Sequence, residues 1–226
     1  MNATEIQAIR LEQQAQYNAP SCCGKKVLQS ISNVFHPLLM LTYAALVLCL
    51  YSPMSALVFA LKVYFVGKVF FYTVLLPILA LVLMHVTHIV GHWALRDRRD
   101  RALPFFVNLI CYSICAYSLW SDGFFPNWVL MFYYGSVLLT FIAWIVSFWW
   151  KISAHASGGA SFATMTLITY SFFPETMPLW LCLSSIIMVG CVCSIRVYLG
   201  RHTLSQVGWG ALLGVFCMST GMAICS

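Results

Sequence analysis

Arg196-Val197-Tyr198-Leu199-Gly200-Arg201-His202-Thr203-Leu204-Ser205-Gln206 is a short basic hinge between two long apolar runs. One run covers 179–199 and ends in Arg196; the other covers about 206–225. Each is near the ~20 residues that an α-helix needs to cross a hydrocarbon core of ~30 Å. Such runs are helices, because backbone groups in lipid must be satisfied within the segment and the alternation of a membrane barrel is absent. The hinge therefore reads as a surface loop that holds a histidine and fixed cations at the membrane boundary.

Outward from the hinge the pattern repeats. Pro174-Glu175 and Pro178 mark a tight turn. Before it, a span at about 157–173 follows Lys151-Ile152-Ser153-Ala154-His155, a second place where a histidine and a cation meet an apolar run. Asp122-Gly123 and Pro126-Asn127 are turn signals between spans at about 105–120 and 127–150. Arg96 to Pro104 (RDRRDRALP) is a third basic stretch, and Pro104 opens the next helix, where a missing N–H costs little. A long span starts at Lys68 and runs to about Trp93, with Pro77 as a kink. A link at 53–67 carries Lys62, and His36-Pro37 opens a first span at 37–51.

The sum is an all-α polytopic transmembrane bundle of about seven spans. Residues 1–34 form a polar tail, and 35–226 one transmembrane domain. Within the tail, Val27, Leu28, Ile31, Val34 and Phe35 recur at helical spacing beside Lys25 and Lys26, which predicts a short helix lying in the interface.

Composition agrees. The chain is 62% hydrophobic and 8% charged, too few charges to cover a soluble domain. The net charge of +6 sits in short clusters, with no nucleic-acid motif, so these are membrane-surface and anion-binding charges. The cysteines are scattered through the spans apart from Cys22-Cys23, and act there as small hydrophobes. Cys191 and Cys193 point in different directions on a helix.

Parity ties the three basic stretches together. Two spans separate 96–104 from His155, and two more separate His155 from His202. All three therefore emerge on one membrane face. Guanidinium groups suit the non-bridging oxygens of a phosphate through their planar fork of donors. Arg98, Arg101, Arg196 and Lys151 can surround such an anion. Two histidines supply the rest, because a pKa of about 6.5 allows one to be neutral and another protonated.

These residues resemble the type 2 phosphatidic acid phosphatase superfamily, whose signatures are K-x6-R-P, P-S-x-H and S-R-x5-H-x3-D. Ile152-Ser153-Ala154-His155 is similar to the second signature, with Ile for Pro. Arg196, five residues and then His202 is similar to the third, with Gly200 and the run Thr203 to Val207 in support. Gln206 stands where that family has Asp, and Ile195 where it has Ser. The first basic stretch resembles a D-R-x-x-R-x-x-P variant that uses Arg98 and Arg101, and Phe35 to Met40 also resembles small bacterial members.

The resemblance implies a six-helix phosphatase core in a bacterial inner membrane. His202 is then the nucleophile that forms a phosphohistidine, and His155 protonates the departing lipid oxygen. Phosphate lies against Arg98, Arg101, Lys151, Ser153 and Arg196. Gln206, at i+4 from His202, can fix its tautomer but brings no negative charge, a part left to Asp97 or Asp100. No metal or other cofactor is required. The partners are the bilayer and a membrane lipid phosphate or diphosphate, and no nucleic acid. Positive-inside bias places the motifs in the cytoplasm, whereas most bacterial members of that family face the periplasm.

Two other readings compete. His85, His88 and His92 fall in a narrow wedge of one helix at about 100° per residue, and with His36 suggest a membrane metalloenzyme. A lipid-phosphate-binding or transport protein without turnover is the other, given Gln206.

Overall fold

The computed structural model describes residues 23–86 and 98–223, with side chains at 24–86 and 102–222. Every regular element among them is helical. We number the helices α1 (Cys23–Val34), α2 (Pro37–Tyr51), α3 (Phe59–Val86), α4 (Arg98–Ser121), α5 (Asn127–Ser147), α6 (Ala154–Phe172), α7 (Leu179–Tyr198) and α8 (Leu204–Ala223).

Where about seven spans were expected, four helices among the described residues are long and apolar enough to cross a membrane: α3, residues 102–121 of α4, α5 and α7. Counting α1 and α2, which meet at 55°, as one bent span makes five. The shortfall has physical causes. α2 has only 15 residues, about 22 Å of helix against a core of ~30 Å. α6 and α8 are diluted by Gly, Ser and Thr, which serve their packing against each other. The outer faces of α3 and α7 show Leu75, Ile78, Leu79, Leu83, Ile186 and Ile187 to the surroundings, as a membrane protein's helices do.

Two boundaries differ from expectation. The link expected at 53–67 is confined to a short 3₁₀ turn, Pro53–Ala56, and the two residues after it. α3 begins at Phe59, because nothing from there to Phe70 breaks a helix. Lys62 therefore sits in the first turn of α3 and reaches back to the Ser55 carbonyl at 2.5 Å. Pro104, expected at a helix start, lies inside α4, which begins six residues earlier. Pro77 does disturb its helix. The turn just before it, Phe71–Leu75, widens to a π-helix around the Thr73 carbonyl that Pro77 cannot bond.

Leu48, Phe65, Val69, Leu119, Phe132, Tyr133 and Met165, from α2 to α6, pack the middle of the bundle. The tightest pair is α6 with α8. Ser153, Ser157 and Ser161 line one face of α6, and Gly210 and Gly214 face them from α8. A Cβ on Gly210 would lie 2.9 Å from the Ser153 carbonyl oxygen, and Ser161 Oγ donates to the Gly214 carbonyl at 3.3 Å. Close backbone approach through small residues is how membrane helices associate where lipid offers no hydrophobic drive. Gly221 makes the same approach to the Met131 carbonyl of α5, at 2.8 Å.

The chain alternates between two ends of the bundle. At one end, Lys68 of α3 bonds both carboxylate oxygens of Asp122, at 2.7 and 2.8 Å, in the turn between α4 and α5. The starts of α2, α6 and α8 and the end of α7 gather at the other end.

Candidate functional site: a cationic cavity among helix ends

Local signals in the chain build this end. α7 stops in a Schellman motif: the Arg201 N–H donates to the Arg196 carbonyl at 3.1 Å and the Gly200 N–H to the Val197 carbonyl at 2.9 Å. The motif needs a left-handed residue, and Gly200 supplies it with φ of 65°. α8 then starts in a capping box. Thr203 Oγ1 accepts from the Gln206 N–H, and Gln206 Oε1 accepts from the Thr203 N–H, each at 3.3 Å. The spacing from Arg196 to His202 is thus a helix end and a helix start joined back to back.

Gln206 Oε1 also lies 3.2 Å from Nδ1 of His202. A carbonyl oxygen has two lone pairs, so it can serve the Thr203 N–H and a proton on Nδ1 together. That assigns the Nδ1–H tautomer and leaves Nε2 as a base or nucleophile. Gln206 itself stays off the cavity wall.

His155 sits in the first turn of α6. Ser153 caps that helix: its Oγ accepts from the Ala156 N–H at 3.4 Å, and its own N–H donates to the Gln206 carbonyl at 3.3 Å. The side chain expected on phosphate is thus fully buried in the α6–α8 seam, away from the cavity wall. Lys151 does reach the wall, and its Nζ donates to the Arg201 carbonyl at 2.7 Å.

One cavity of about 420 Å³ collects His36, Lys151, His155, Arg196, Arg201 and His202 at its mouth. Three fixed cations and three imidazoles thus share a wall on which no described residue is a carboxylate. Among the described residues no three His, Cys, Asp or Glu side chains are placed to share a metal ion. Arg196 Nε is buried with no hydrogen-bond partner among the described residues, while Nη1 reaches Ser32 Oγ at 3.5 Å. A buried, unpaired guanidinium N–H facing other cations is a donor suited to an anion.

Sequence reasoning missed three participants. His36 caps α2 through Nδ1, which accepts the Leu38 N–H at 3.3 Å, and its ring meets that of His155 edge to face, centroids 5.3 Å apart. Arg201 was read only as part of the hinge. Ser32 belongs to α1, which packs on α7; it is fully buried and hydrogen-bonds Arg196, and its backbone bonds His155. The signal for α1 was its amphipathic pattern, with Val27, Ile31 and Val34 exposed, but that pattern does not say what the polar face covers.

The side chains of Arg98, Asp100 and Arg101 lie outside the described residues, as do Arg96 and Asp97. So do His88 and His92. His85 stands in the last turn of α3 and is not on the cavity wall.

His36 and His155 lie at helix starts, outside the four spanning segments. Burial and then the Arg196 guanidinium hold His36 below the ordinary histidine value. Burial first, then Arg196, His36 and His202, push His155 down to about 3. Both rings are therefore neutral at pH 7 in the free protein. A neighbouring cation disfavours the protonated ring, so removing it raises the pKa. In Arg196→Gln the His155 midpoint, followed by NMR of the ring carbons, is expected to move up from about 3 but stay below 6.5, because burial remains. A midpoint that stays put or falls contradicts this electrostatic account.

No family model, curated protein or solved structure matches this chain.

Proposed function

We propose that this chain is a membrane-embedded lipid phosphatase of the type 2 phosphatidic acid phosphatase kind, hydrolysing a lipid phosphomonoester or diphosphate without a metal. The observation that carries the reading is the cavity wall, where Lys151, Arg196 and Arg201 stand beside His155 and His202 above an apolar interior. A phosphate fits the cations, and its hydrocarbon fits what lies beneath.

In this reading α2 to α8 all cross a bacterial inner membrane as seven spans around a six-helix phosphatase core. Nε2 of His202 attacks phosphorus while its Nδ1–H is held by Gln206. The bond from phosphorus to the lipid oxygen breaks, and that oxygen takes a proton from His155. Water then attacks the phosphohistidine, His155 accepts a proton from it, the P–N bond breaks and phosphate leaves. His155 must be protonated for the first half. A bound phosphate dianion offsets the cations that depress this pKa, so the substrate itself raises His155 toward a working acid. Arg196 and its neighbours favour the charge on the transferring phosphoryl group.

The test is phosphate release from a panel of lipid phosphates in detergent with a metal chelator present. Release at undiminished rate under chelation is expected. Activity that vanishes with the chelator and returns with a divalent cation would falsify the metal-free route, and release from no lipid phosphate would end the phosphatase reading.

A further inference from the structure

Below its charged mouth the cavity continues as an arm between α2, α4, α5 and α6. Its wall descends from Ala143 to Phe132 on α5 and from Ala154 to Met165 on α6. Each stretch is about 16 Å of helix at ~1.5 Å per residue. That is roughly half of a ~30 Å hydrocarbon core. Leu41, Phe132, Phe162 and Met165 make the arm apolar. At about 420 Å³ the whole cavity is small for a ligand site. Such sites run to roughly 300–1,000 Å³, so this one holds a headgroup and part of one chain.

The arm is not uniformly apolar. Asn108, Ser136 and Thr140 also line it. Ser136 Oγ donates to the Phe132 carbonyl at 2.7 Å and Thr140 Oγ1 to the Ser136 carbonyl at 2.8 Å. Both hydroxyl protons are spent within α5, so only lone pairs face the arm. Asn108 Oδ1 is buried and has no hydrogen-bond partner among the described residues. Leaving a buried amide oxygen unpaired is costly, and a donor on a ligand relieves the cost. By helix rise, Asn108 lies below Pro104, and Thr140 and Ser136 below Ala143, by about 5–10 Å. These polar groups line the stretch of wall beyond the cationic mouth, so they face the part of a lipid next to its phosphate when that phosphate sits at Arg196 and His202.

We propose that the arm selects a single-chain lipid phosphate whose backbone carries a hydrogen-bond donor, a hydroxyl or an amide N–H, next to the phosphate. A polyprenyl phosphate has no such donor, and in a 1,2-diacylglycerol phosphate the 2-oxygen is esterified and carries no proton. The inference rests on the phosphatase reading for which atom sits at the mouth.

The test compares two synthetic lipids of one chain length: 1-acylglycerol 3-phosphate, with a free 2-hydroxyl, and its 2-deoxy counterpart. Binding is measured by displacement of a fluorescent lipid phosphate, and phosphate release in parallel. The hydroxyl lipid is expected to bind about tenfold more tightly. Asn108→Leu and the near-isosteric Thr140→Val should each bring the ratio of the two affinities toward one. Equal binding of the two lipids by the wild type overturns the inference, as does a preference that survives in both variants. The expected preference without phosphate release supports selection by the arm and removes the phosphatase reading. Binding of neither lipid removes both.

Discussion

His202→Ala is expected to cut phosphate release by about 10⁴-fold or more, because it removes the nucleophile and with it the covalent route. The change deletes the ring's bond to Gln206 Oε1, but the capping box between Thr203 and Gln206 that starts α8 does not use the ring. The variant should therefore fold, which thermal unfolding in detergent checks directly. His155→Ala makes a useful contrast. Loss of a general acid costs roughly 10²–10⁴-fold, and the loss should shrink when the lipid alcohol is replaced by a phenol that leaves unaided. His202→Ala should show no such rescue, since a better leaving group does not replace the missing nucleophile. Undiminished turnover in His202→Ala would remove the assignment of roles.

The second large effect concerns folding. Gly214→Val is expected to drive α6 and α8 apart, because a Cβ at 214 would collide with the Ser157 carbonyl oxygen and crowd the Ser161 N–H. Neither atom can give way, as both belong to helix backbone. Overpacking of a tight seam costs about 1–3 kcal/mol where side chains adjust, and a backbone collision lies at or beyond the upper end. Gly208→Ala on the same helix is the control, since a Cβ there meets nothing within 4 Å. Its unfolding temperature should match the wild type or exceed it slightly, as Ala favours a helix over Gly. A Gly214→Val protein that unfolds at the wild-type temperature would show that the two helices are not in backbone contact. The same seam fixes His155 on α6 relative to His202 ahead of α8. Any Gly214→Val protein that does fold should lose activity out of proportion to its loss of stability.

The hinge at 196–206 shows how local chemistry becomes position. Gly200 permits the left-handed turn that ends α7, and Thr203 with Gln206 starts α8 three residues later. Those two signals force Arg196 and His202 to the same end of the bundle whatever the rest of the chain does. Gln206 suits the third helical position of a capping box, which gives this residue a structural reason beside any chemical one. Ser153 shows the reverse. The motif resemblance implied a phosphate ligand at Ser153, but the start of α6 requires a cap and the α6–α8 seam requires a small side chain, and Ser153 serves both.

Span limits were readable where Pro and Gly punctuate the chain, as at Pro126 and Pro178, which directly precede α5 and α7. They were misread where a charge was taken for a boundary. Lys62 and Lys68 lie inside α3 because a long side chain can carry its ammonium to a polar partner, here the Ser55 carbonyl and Asp122.

Sequence alone determined that the chain is helical and membrane-embedded, and that Lys151, His155, Arg196 and His202 lie at ends of apolar runs, since run length depends only on distance along the chain. Tertiary structure decided which of those groups share a wall. His36, Ser32 and Arg201 join the site, and Ser153 leaves it, because side-chain direction follows from how helices rotate and pack against each other. That rotation is set by contacts such as Gly214 on Ser157, between residues far apart in sequence, and no local pattern encodes it.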